Sequence, residues 1–293
     1  MGIVWLASYP KSGNTWVRAF LANYLADQAD PVPINALAPY CYNDRAAVLY
    51  ERVSGRSFQQ LSDRDLNSLR PRVHVALAQQ ESGAVFVKTH NAIVEIEGVP
   101  TVHPASTLGA VYVLRNPLDV AVSYAHHYGL SYAAAIDNMA RSAAQVARQD
   151  RAAPQLLGSW SDHVGSWTRN AVTLLALVRF EDLRRRPDDT FAAVVRAVRL
   201  PFDRRRLKQA IRHAAFKTLR GMEDQSGFVE SSRASEAFFR KGAVGDWRAE
   251  LSPAEVARVI DCHGPMMRRF GYLDARGKPV DGGPIPRAEE ASP

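Results

Sequence analysis

The segment from Ser8 to Trp16 constrains the fold of this chain more than any other stretch of the sequence. A short β-like run at residues 3–7 precedes it. Apolar residues with the spacing of one helix face follow it: Val17, Phe20, Leu21, Tyr24 and Leu25. A strand, a tight loop and a helix N-terminus direct free backbone N–H groups and the positive end of the helix dipole at one point. Since Lys11 adds a charge there, the segment predicts a nucleotide-phosphate site; the alternative is an ordinary strand–turn–helix with a solvated lysine.

The residue pattern of this loop differs from that of a Walker A loop, in which the lysine follows the last glycine and a neighbouring hydroxyl holds Mg²⁺. Here Lys11 precedes Gly13. With Trp16 directly after it, the loop resembles the 5′-phosphosulfate loop of the sulfotransferases that use 3′-phosphoadenosine 5′-phosphosulfate (PAPS). The resemblance implies that six residues bind this nucleotide: Lys11, Ser12, Gly13, Asn14, Thr15 and Trp16.

Composition narrows the remaining classes of protein. The chain has 293 residues, of which 46% are hydrophobic and 23% charged, and these values are typical of globular proteins. No apolar run approaches the roughly 18 residues of a membrane span, and no signal peptide is expected. Cys41 and Cys262 lie far apart without a CxxC pair, so neither a disulfide framework nor a metal site is expected, and a cytoplasmic location fits.

The formal net charge of +7 favours anionic ligands or surfaces. Arginine triplets at residues 184–186 and 204–206 raise the alternative of a nucleic-acid surface. Both triplets lie in helical patterns beside acidic residues, and neither alternates with exposed aromatic residues. We therefore expect solvated helix faces and no nucleic-acid partner.

Helical and extended patterns alternate along the chain. Continuous apolar runs predict buried strands at 84–88, 109–114 and 172–179. Asn116 and Pro117 supply an N-cap and an N1 proline for a helix. Residues 28–60 are expected to be rich in loops. Further helices are expected at 61–70, 131–149, 155–168, from 180 to about 198, 203–221 and 253–270.

Strands separated by helices predict an α/β fold with a central, mostly parallel sheet flanked by helices on both faces. We expect a single domain over residues 1–275 and a disordered C-terminal tail over 276–293, which is rich in glycine and proline. Ligands of such sheets bind at the carboxyl ends of the strands. Three candidate site segments follow predicted strands: residues 9–16, 88–90 and 115–123.

Two further segments carry anion-binding chemistry. Arg115 leaves a strand end and Ser123 follows on the next helix; a guanidinium and a hydroxyl suit a phosphate, although Arg115 could instead pair with Asp119. This segment resembles the 3′-phosphate signature of the sulfotransferases. Residues 240–248 resemble the Arg-Lys-Gly-x-x-Gly-Asp-Trp loop of the same family, which implies that three residues also hold the 3′-phosphate: Arg240, Lys241 and Gly242. A surface turn with solvated charge is the alternative.

The run Lys88-Thr89-His90 is similar to the strand-end Lys-Thr-His of the family. The resemblance implies that His90 is the general base on the acceptor, that Lys11 stabilises the leaving phosphate and that Lys88 steadies the sulfuryl oxygens. An imidazole with a pKa near 6.5 is suited to take a proton at neutral pH. For the adenine slot the resemblance implies Trp16, Phe180 and Phe216.

The resemblance implies the P-loop-kinase-like sulfotransferase fold. It also implies sulfuryl transfer from PAPS to a hydroxyl, or an amine, of a small molecule, with adenosine 3′,5′-bisphosphate (PAP) as product and no metal. Aromatic residues in the variable segments weakly favour an aromatic or apolar acceptor. The family's dimer motif is matched only at Arg248, so the oligomeric state stays open. Two alternatives remain: an ATP-dependent small-molecule kinase or NTPase, and a non-catalytic basic module that binds polyanions.

Overall fold

A five-stranded sheet lies at the centre of the computed structural model, which describes residues 1–169, 174–232 and 234–285. Its strands are, in spatial order, β2 (Tyr42–Asn43), β3 (Ala84–Thr89), β1 (Gly2–Ser8), β6 (Thr107–Leu114) and β9 (Leu174–Arg179). Every pairing between neighbouring strands of this sheet is parallel. Two antiparallel ribbons lie outside it: β4 (Glu95–Ile96) with β5 (Val99–Pro100), and β7 (Gln145–Val146) with β8 (Gln155–Leu156).

Helices connect the strands and cover the sheet. The α-helices are α1 (Asn14–Ala26), α2 (Ala47–Ser54), α3 (Asp63–Ala78), α4 (Pro117–Tyr128), α5 (Tyr132–Ala140), α6 (Trp160–Arg169), α7 (Phe180–Arg185), α8 (Pro187–Ala197), α9 (Arg204–His213), α10 (Phe216–Ser226), α11 (Trp247–Glu250) and α12 (Pro253–Arg269). Short 3-10 turns occur at Ile34–Ala36, Phe58–Gln60 and Pro104–Ser106. Within the described ranges, no helix has both the length and the apolar character to cross a bilayer.

Both faces of the sheet are buried, as side chains of β1 show. Ile3, Trp5 and Ala7 belong to one core cluster, which contains side chains of α3, α4, α5, α6 and α12. Val4 and Leu6 belong to a second cluster with side chains of α1, α8 and α9. Because alternate side chains meet different helix layers, the strand has no polar face. The predicted α/β fold with helices on both faces is confirmed.

Several predicted elements are found where they were expected. The strands predicted at 84–88 and 109–114 correspond to β3 and β6. The strand predicted at 172–179 corresponds to β9 from Leu174 onward, and positions 172 and 173 lie outside the described residues. At the start of α4, the side chain of Asn116 accepts a hydrogen bond from the backbone N–H of Leu118. The cap and the proline therefore act as the sequence predicts.

The helix predicted for residues 61–70 begins at its Ser62 cap but continues through Pro71 to Ala78. A proline inside a helix costs about 3 kcal/mol. Leu66, Val73 and Leu77 are completely buried on this helix, and each such burial contributes about 1.5–3 kcal/mol. Packing on the sheet therefore outweighs the local penalty.

Other predicted helices are shorter or divided. The helix predicted for 131–149 ends at Ala140 and gives way to the β7–β8 hairpin, so the helix predicted for 155–168 begins only at Trp160. Arg45 holds this hairpin, since it donates to the carbonyls of Ala153 (2.7 Å) and Ala147 (3.2 Å). Such long-range contacts have no local sequence pattern. The predicted helices at 180–198 and 203–221 are each split in two, and the loop-rich region 28–60 contains α2.

The segment after Arg276 packs against the domain as far as residue 285. The backbone N–H of Gly283 donates to the carbonyl of Gly271 at 2.7 Å, and Asp281 forms an ion pair with Arg248. These contacts lie within the segment expected to be disordered, and that expectation stays a prediction. Residues 286–293 lie outside the described residues, and the single-domain boundary remains a prediction.

We expect Phe191→Ala to lower the free energy of unfolding by about 3–5 kcal/mol. Phe191 is completely buried and stacks on Phe20 with a ring-centroid distance of 3.9 Å. Urea unfolding monitored by circular dichroism measures the effect. The matched control is Phe202→Ala, because Phe202 is 45% exposed and its loss should change stability by no more than about 0.5 kcal/mol. Equal losses in the two variants would contradict the core assignment.

Candidate active site

A cavity of about 810 Å³ opens at the carboxyl ends of β1, β3 and β6. The predicted site residues that line it are Lys11, Gly13, Asn14, Thr15, Trp16, Lys88, His90, Arg115, Ser123, Phe180, Phe216, Arg240, Lys241 and Gly242. Ser12 is the exception, because it is 1% exposed and its hydroxyl lies buried without a hydrogen-bond partner among the described residues. The structure thus brings segments that lie far apart in the sequence to one place.

The loop between β1 and α1 is bent so that the helix start faces the cavity. Gly13 has a φ of +103°, and a Cβ there would lie 2.8 Å from Cδ2 of Phe180. Asn14 donates from its side chain to the carbonyl of Leu6 at 2.8 Å, which ties the helix start to the strand. The first turn of α1 contains no acidic residue. The positive end of its dipole is therefore not compensated there and can attract an anion.

Arg115 links the two loops that the sequence predicts to bind phosphate. It donates to the carbonyl of Lys11 at 3.1 Å and to that of Ala243 at 3.0 Å, and its guanidinium carbon lies 4.3 Å from the ring centre of Phe180. Asp119, the partner that the sequence offered as an alternative, instead accepts from the backbone N–H of Gly245 at 2.8 Å. Arg115 therefore lies at the cavity wall with two of its nitrogens held by carbonyls.

Lys11 faces the cavity from a strained backbone position, with a φ of +66°. Its ammonium lies 3.8 Å from the ring centre of Phe238, a cation–π contact. Burial and the nearby charge of Arg115 lower the pKa of Lys11 to about 7. Phe238 was not among the predicted nucleotide-binding or catalytic residues; the sequence indicated it only as one of the aromatic residues that favour an aromatic or apolar acceptor.

The loop that carries Arg240 and Lys241 places both cations beside acidic residues. The ammonium of Lys241 lies 2.8 Å from Asp246 and 2.9 Å from Glu250, and Arg240 also pairs with Asp246. At Gly242 the φ is +58°, and a Cβ would lie 2.4 Å from the ring of Phe216. Only glycine therefore lets this loop approach the aromatic wall. The side chain of Lys241 keeps 47% of its surface exposed.

The ring of His90 has one tautomer that fits its surroundings. Its Nδ1 lies 2.7 Å from the carbonyl oxygen of Ser8, and since a carbonyl can only accept, Nδ1 carries the proton. Nε2 is then the atom with the free lone pair. Burial and the charge of Lys88 hold the pKa of His90 well below its usual range, so the ring is neutral at pH 7. A neutral ring with a free Nε2 can act as a base.

His163 supports the backbone at His90. Its Nε2 lies 3.0 Å from the carbonyl oxygen of His90, and its Nδ1 lies 2.8 Å from the hydroxyl of Tyr112. The first contact requires a proton on Nε2, so Nδ1 accepts from the tyrosine. His163 is completely buried. These two hydrogen bonds therefore hold the backbone carbonyl of His90 in place.

Sequence reasoning missed two charged residues at the site. Glu230 accepts from Lys88 Nζ at 2.8 Å and from Arg18 Nη1 at 2.7 Å. Arg18 had a signal, because it is the only charged residue in the helical run 17–25 and lies one turn after Asn14. Glu230 had none, since it lies in an irregular segment after α10.

Another part of the cavity is formed by β2, α4 and the β7–β8 hairpin. Its lining residues, none of them a predicted nucleotide ligand, are Asn43, Arg45, His127, Tyr128, Val146, Gln149, Ala152 and Gln155. His126, the neighbour of His127, is exposed. Within residues 1–169, 174–232 and 234–285, no three His, Cys, Asp or Glu side chains are grouped as metal ligands would be.

We expect one lysine of the protein to titrate near pH 7 in a spectrum of ¹³Cε-labelled lysines. This lysine is Lys11, because burial and the charge of Arg115 lower its pKa to about 7, whereas a free lysine has a pKa near 10.4. Lys11→Arg should remove that resonance. Lys241 is the internal control, since its hydrogen bonds to Asp246 and Glu250 raise its pKa. If no resonance titrates below about pH 9, the described electrostatics of the loop are wrong.

Comparisons with known proteins agree with this geometry. The family described as the Sulfotransferase domain matches residues 2–271. Cytosolic sulfotransferase 5 of Arabidopsis thaliana is 24% identical over 265 residues, which cover 87% of this chain and 76% of that protein. Sulfotransferase 1 family member D1 of Mus musculus is 25% identical over 256 residues, which cover 85% of this chain and 78% of that protein.

Solved structures share the fold at lower identity. Mouse sulfotransferase SULT7A1 complexed with PAP has a TM-score of 0.58 and 18% identity, over 94% of this chain and 87% of its own. Retinol dehydratase in a complex with retinol and PAP has a TM-score of 0.61 and 17% identity, over 90% of this chain and 81% of its own. The predicted sulfotransferase fold is confirmed. Since the family match spans nearly the whole chain, the chain belongs to the sulfotransferase family.

Proposed function

We propose that this sulfotransferase transfers the sulfuryl group of PAPS to a hydroxyl of a small molecule, with His90 as the general base and PAP as the product. The observation that carries the proposal is the convergence of the loop at residues 11–16, the strand end at 88–90, Arg115 and the loop at 240–242 on one cavity. These segments lie up to about 230 positions apart in the sequence. A purely structural role for each of them would not require a common cavity.

The residues at the cavity fit a doubly phosphorylated nucleotide. Two residues that line the cavity have buried polar atoms without a partner among the described residues, namely Trp16 Nε1 and Arg115 Nε. Buried donors without partners are costly, so a bound ligand with many acceptor oxygens accounts for them. At Gly13 and Gly242 the absence of a Cβ lets the two loops lie directly against the rings of Phe180 and Phe216. The fit therefore rests on donors that the fold itself does not use and on the close approach of both loops to the aromatic rings.

The proposed nucleotide site would combine two groups of phosphate-binding residues with a set of aromatic rings. Lys11 and the start of α1 would hold the 5′ side, and Arg240, Lys241, Arg115 and Ser123 would hold the 3′-phosphate. Trp16 and Phe180 lie with ring centroids 5.6 Å apart at 66°, and Phe216, beside Gly242, also lines the cavity. Flat apolar rings are suited to the faces of a base.

PAPS, when bound, supplies the sulfuryl group and a phosphate leaving group. His90 Nε2 takes the proton of the acceptor hydroxyl, and the carbonyl of Ser8 keeps this nitrogen unprotonated and aimed away from the strand. Lys11 provides positive charge where the leaving phosphate develops its negative charge, and Lys88 provides it for the sulfuryl oxygens. Positioning and fixed charge supply most of the acceleration in such a site.

We expect His90→Ala to lower kcat roughly 10²- to 10⁴-fold while the affinity for PAP stays within about twofold. The reason is that His90 serves the acceptor and holds no phosphate in this proposal. Initial rates with radiolabelled PAPS and calorimetry with PAP measure the two quantities. His126→Ala is the control, because His126 is exposed one turn along α4 from Ser123. Near-normal turnover of His90→Ala would remove His90 from the mechanism.

The experiment that tests the proposed function is calorimetric binding of PAP, 5′-AMP and ATP without added Mg²⁺. We expect PAP to bind most tightly, and Lys241→Ala to weaken PAP roughly tenfold or more with little effect on 5′-AMP, since a charge-assisted hydrogen bond contributes about 1.5–3 kcal/mol. Lys208→Ala, at an exposed lysine of α9, is the matched control. Equal affinity for the three nucleotides would contradict the 3′-phosphate site and favour the kinase alternative.

Two further proposals concern the chemical class of the acceptor and the cellular location of the protein. Tyr128, Phe238 and Phe239 line the cavity and support an acceptor with an aromatic or apolar part, and the hydroxyl could be replaced by an amine. A cytoplasmic location is supported by two free cysteines, buried Cys41 and exposed Cys262. The oligomeric state stays open.

A further inference from the structure

We propose that Glu230 is an internal anion that competes with the sulfuryl group of PAPS for Lys88, and so sets the preference of the site between PAPS and PAP. The inference rests on the proposed function, because it assigns Lys88 to the sulfuryl oxygens. Glu230 lies outside the two phosphate loops and outside the strand end that carries His90. The inference therefore adds a residue that determines the specificity of the site.

The geometry shows a carboxylate in the position that suits an anionic ligand. One oxygen of Glu230 lies 2.8 Å from Lys88 Nζ and the other lies 2.7 Å from Arg18 Nη1. The side chains of Lys88 and Arg18 are only 11% and 6% exposed, whereas that of Glu230 is 25% exposed toward the cavity that all three line. The carboxylate therefore fills the solvent-facing side of a buried cation pair.

Charge balance explains why this position must be filled. Two buried cations without an anion would be strongly unfavourable, so the empty site needs Glu230 or a substitute. Burial opposes ionisation of Glu230, but the charges of Lys88 and Arg18 hold its pKa well below its usual range. Glu230 is thus ionised at neutral pH, and its negative charge has the same sign as that of a sulfuryl group.

PAPS and PAP differ only in the sulfuryl group, which the proposed function places beside Lys88. PAPS carries a sulfuryl group whose oxygens can accept from Lys88, in place of one oxygen of Glu230. PAP lacks that group, so Glu230 keeps Lys88 when PAP is bound. Binding of the sulfated form alone therefore includes the cost of separating Glu230 from Lys88.

The attachment of Glu230 to the fold permits such a separation. Its segment leaves α10 at Gly227, whose φ is +66°, and the neighbouring Val229 is 78% exposed. Val229 donates its backbone N–H to Asn35 at 3.0 Å. Farther along the chain, Phe239 donates its backbone N–H to the side chain of Glu223 at 2.9 Å. Ser231, the next residue, donates its hydroxyl to Glu223 at 3.1 Å, so Glu230 has to separate from Lys88 between two tethered neighbours while the residues just before Arg240 stay anchored by Glu223.

The test is calorimetric measurement of the dissociation constants of PAPS and PAP for the wild-type chain, Glu230→Gln and Glu236→Gln. Glutamine keeps the shape of the side chain and removes its charge. We expect Glu230→Gln to increase the affinity for PAPS relative to PAP about tenfold or more, the size of one lost interaction with a charged group. Glu236 is an exposed carboxylate of the same segment, so Glu236→Gln controls for the change in net charge and should leave the ratio unchanged.

Loss of PAP binding by Glu230→Gln would indicate that this variant does not fold. In that case a measurement on the wild-type chain tests the inference instead. Hydrogen exchange of residues 228–232 should be faster with PAPS than with PAP, since only PAPS detaches Glu230. Glu230→Asp, which keeps the charge but shortens the side chain, should shift the affinity ratio toward PAPS to a smaller extent.

The outcomes separate this inference from the proposed function. If the wild-type chain binds neither nucleotide, the proposed function fails and this inference fails with it. If PAP and PAPS both bind but the ratio in Glu230→Gln stays within about twofold of that in Glu236→Gln, the proposed function stands and the competition is disproved. Equal hydrogen exchange with the two nucleotides would disprove it as well.

Discussion

Repulsion among four cations at one edge of the sheet is the constraint on which the rest of the site depends. Lys11, Arg18, Lys88 and Arg115 all line the cavity, and like charges in a partly buried space disfavour one another. The fold meets this constraint in several ways. Carbonyls accept from Arg115, the ring of Phe238 faces Lys11, and one carboxylate, Glu230, bridges Arg18 and Lys88.

The buried sheet explains why the charges collect at this edge. Both faces of the sheet are covered by helices, so the charged side chains of β3 and the segment after β6 lie at or just beyond the carboxyl ends of the strands. The carboxyl ends of parallel strands lie on the same side, which brings Lys88 and Arg115 next to the loop after β1. Arg115 then joins that loop to Ala243, while Asp119 holds the backbone at Gly245. Charge and chain connectivity are thus organised by the same few contacts.

Much of this arrangement could be predicted from the sequence, because its signals are local. Apolar runs, the Asn116 cap and the residues around Lys11 act within one or two turns of chain, and they placed the sheet and most of the site residues. The β7–β8 hairpin could not be predicted, since Arg45 fixes it from about 100 positions away. The predicted helix ended one residue before Pro71, whereas α3 continues to Ala78. The burial of Val73 and Leu77 stabilises the helix only once the sheet has formed. Glu230 is the clearest omission: its role depends on two cations from other elements and on no pattern of its own.

The contact between His90 and the carbonyl of Ser8 has a consequence for how this site tolerates change. The group that orients the His90 ring belongs to the main chain, so no substitution at position 8 removes it. A side-chain carboxylate in the same role could be lost in a single step. The Ser8 carbonyl also lies at the end of a strand paired on both sides, and only a rearrangement of the sheet would move it. The tautomer of His90 is therefore set by the fold, and substitutions around it can alter the lining of the cavity while the ring keeps its orientation.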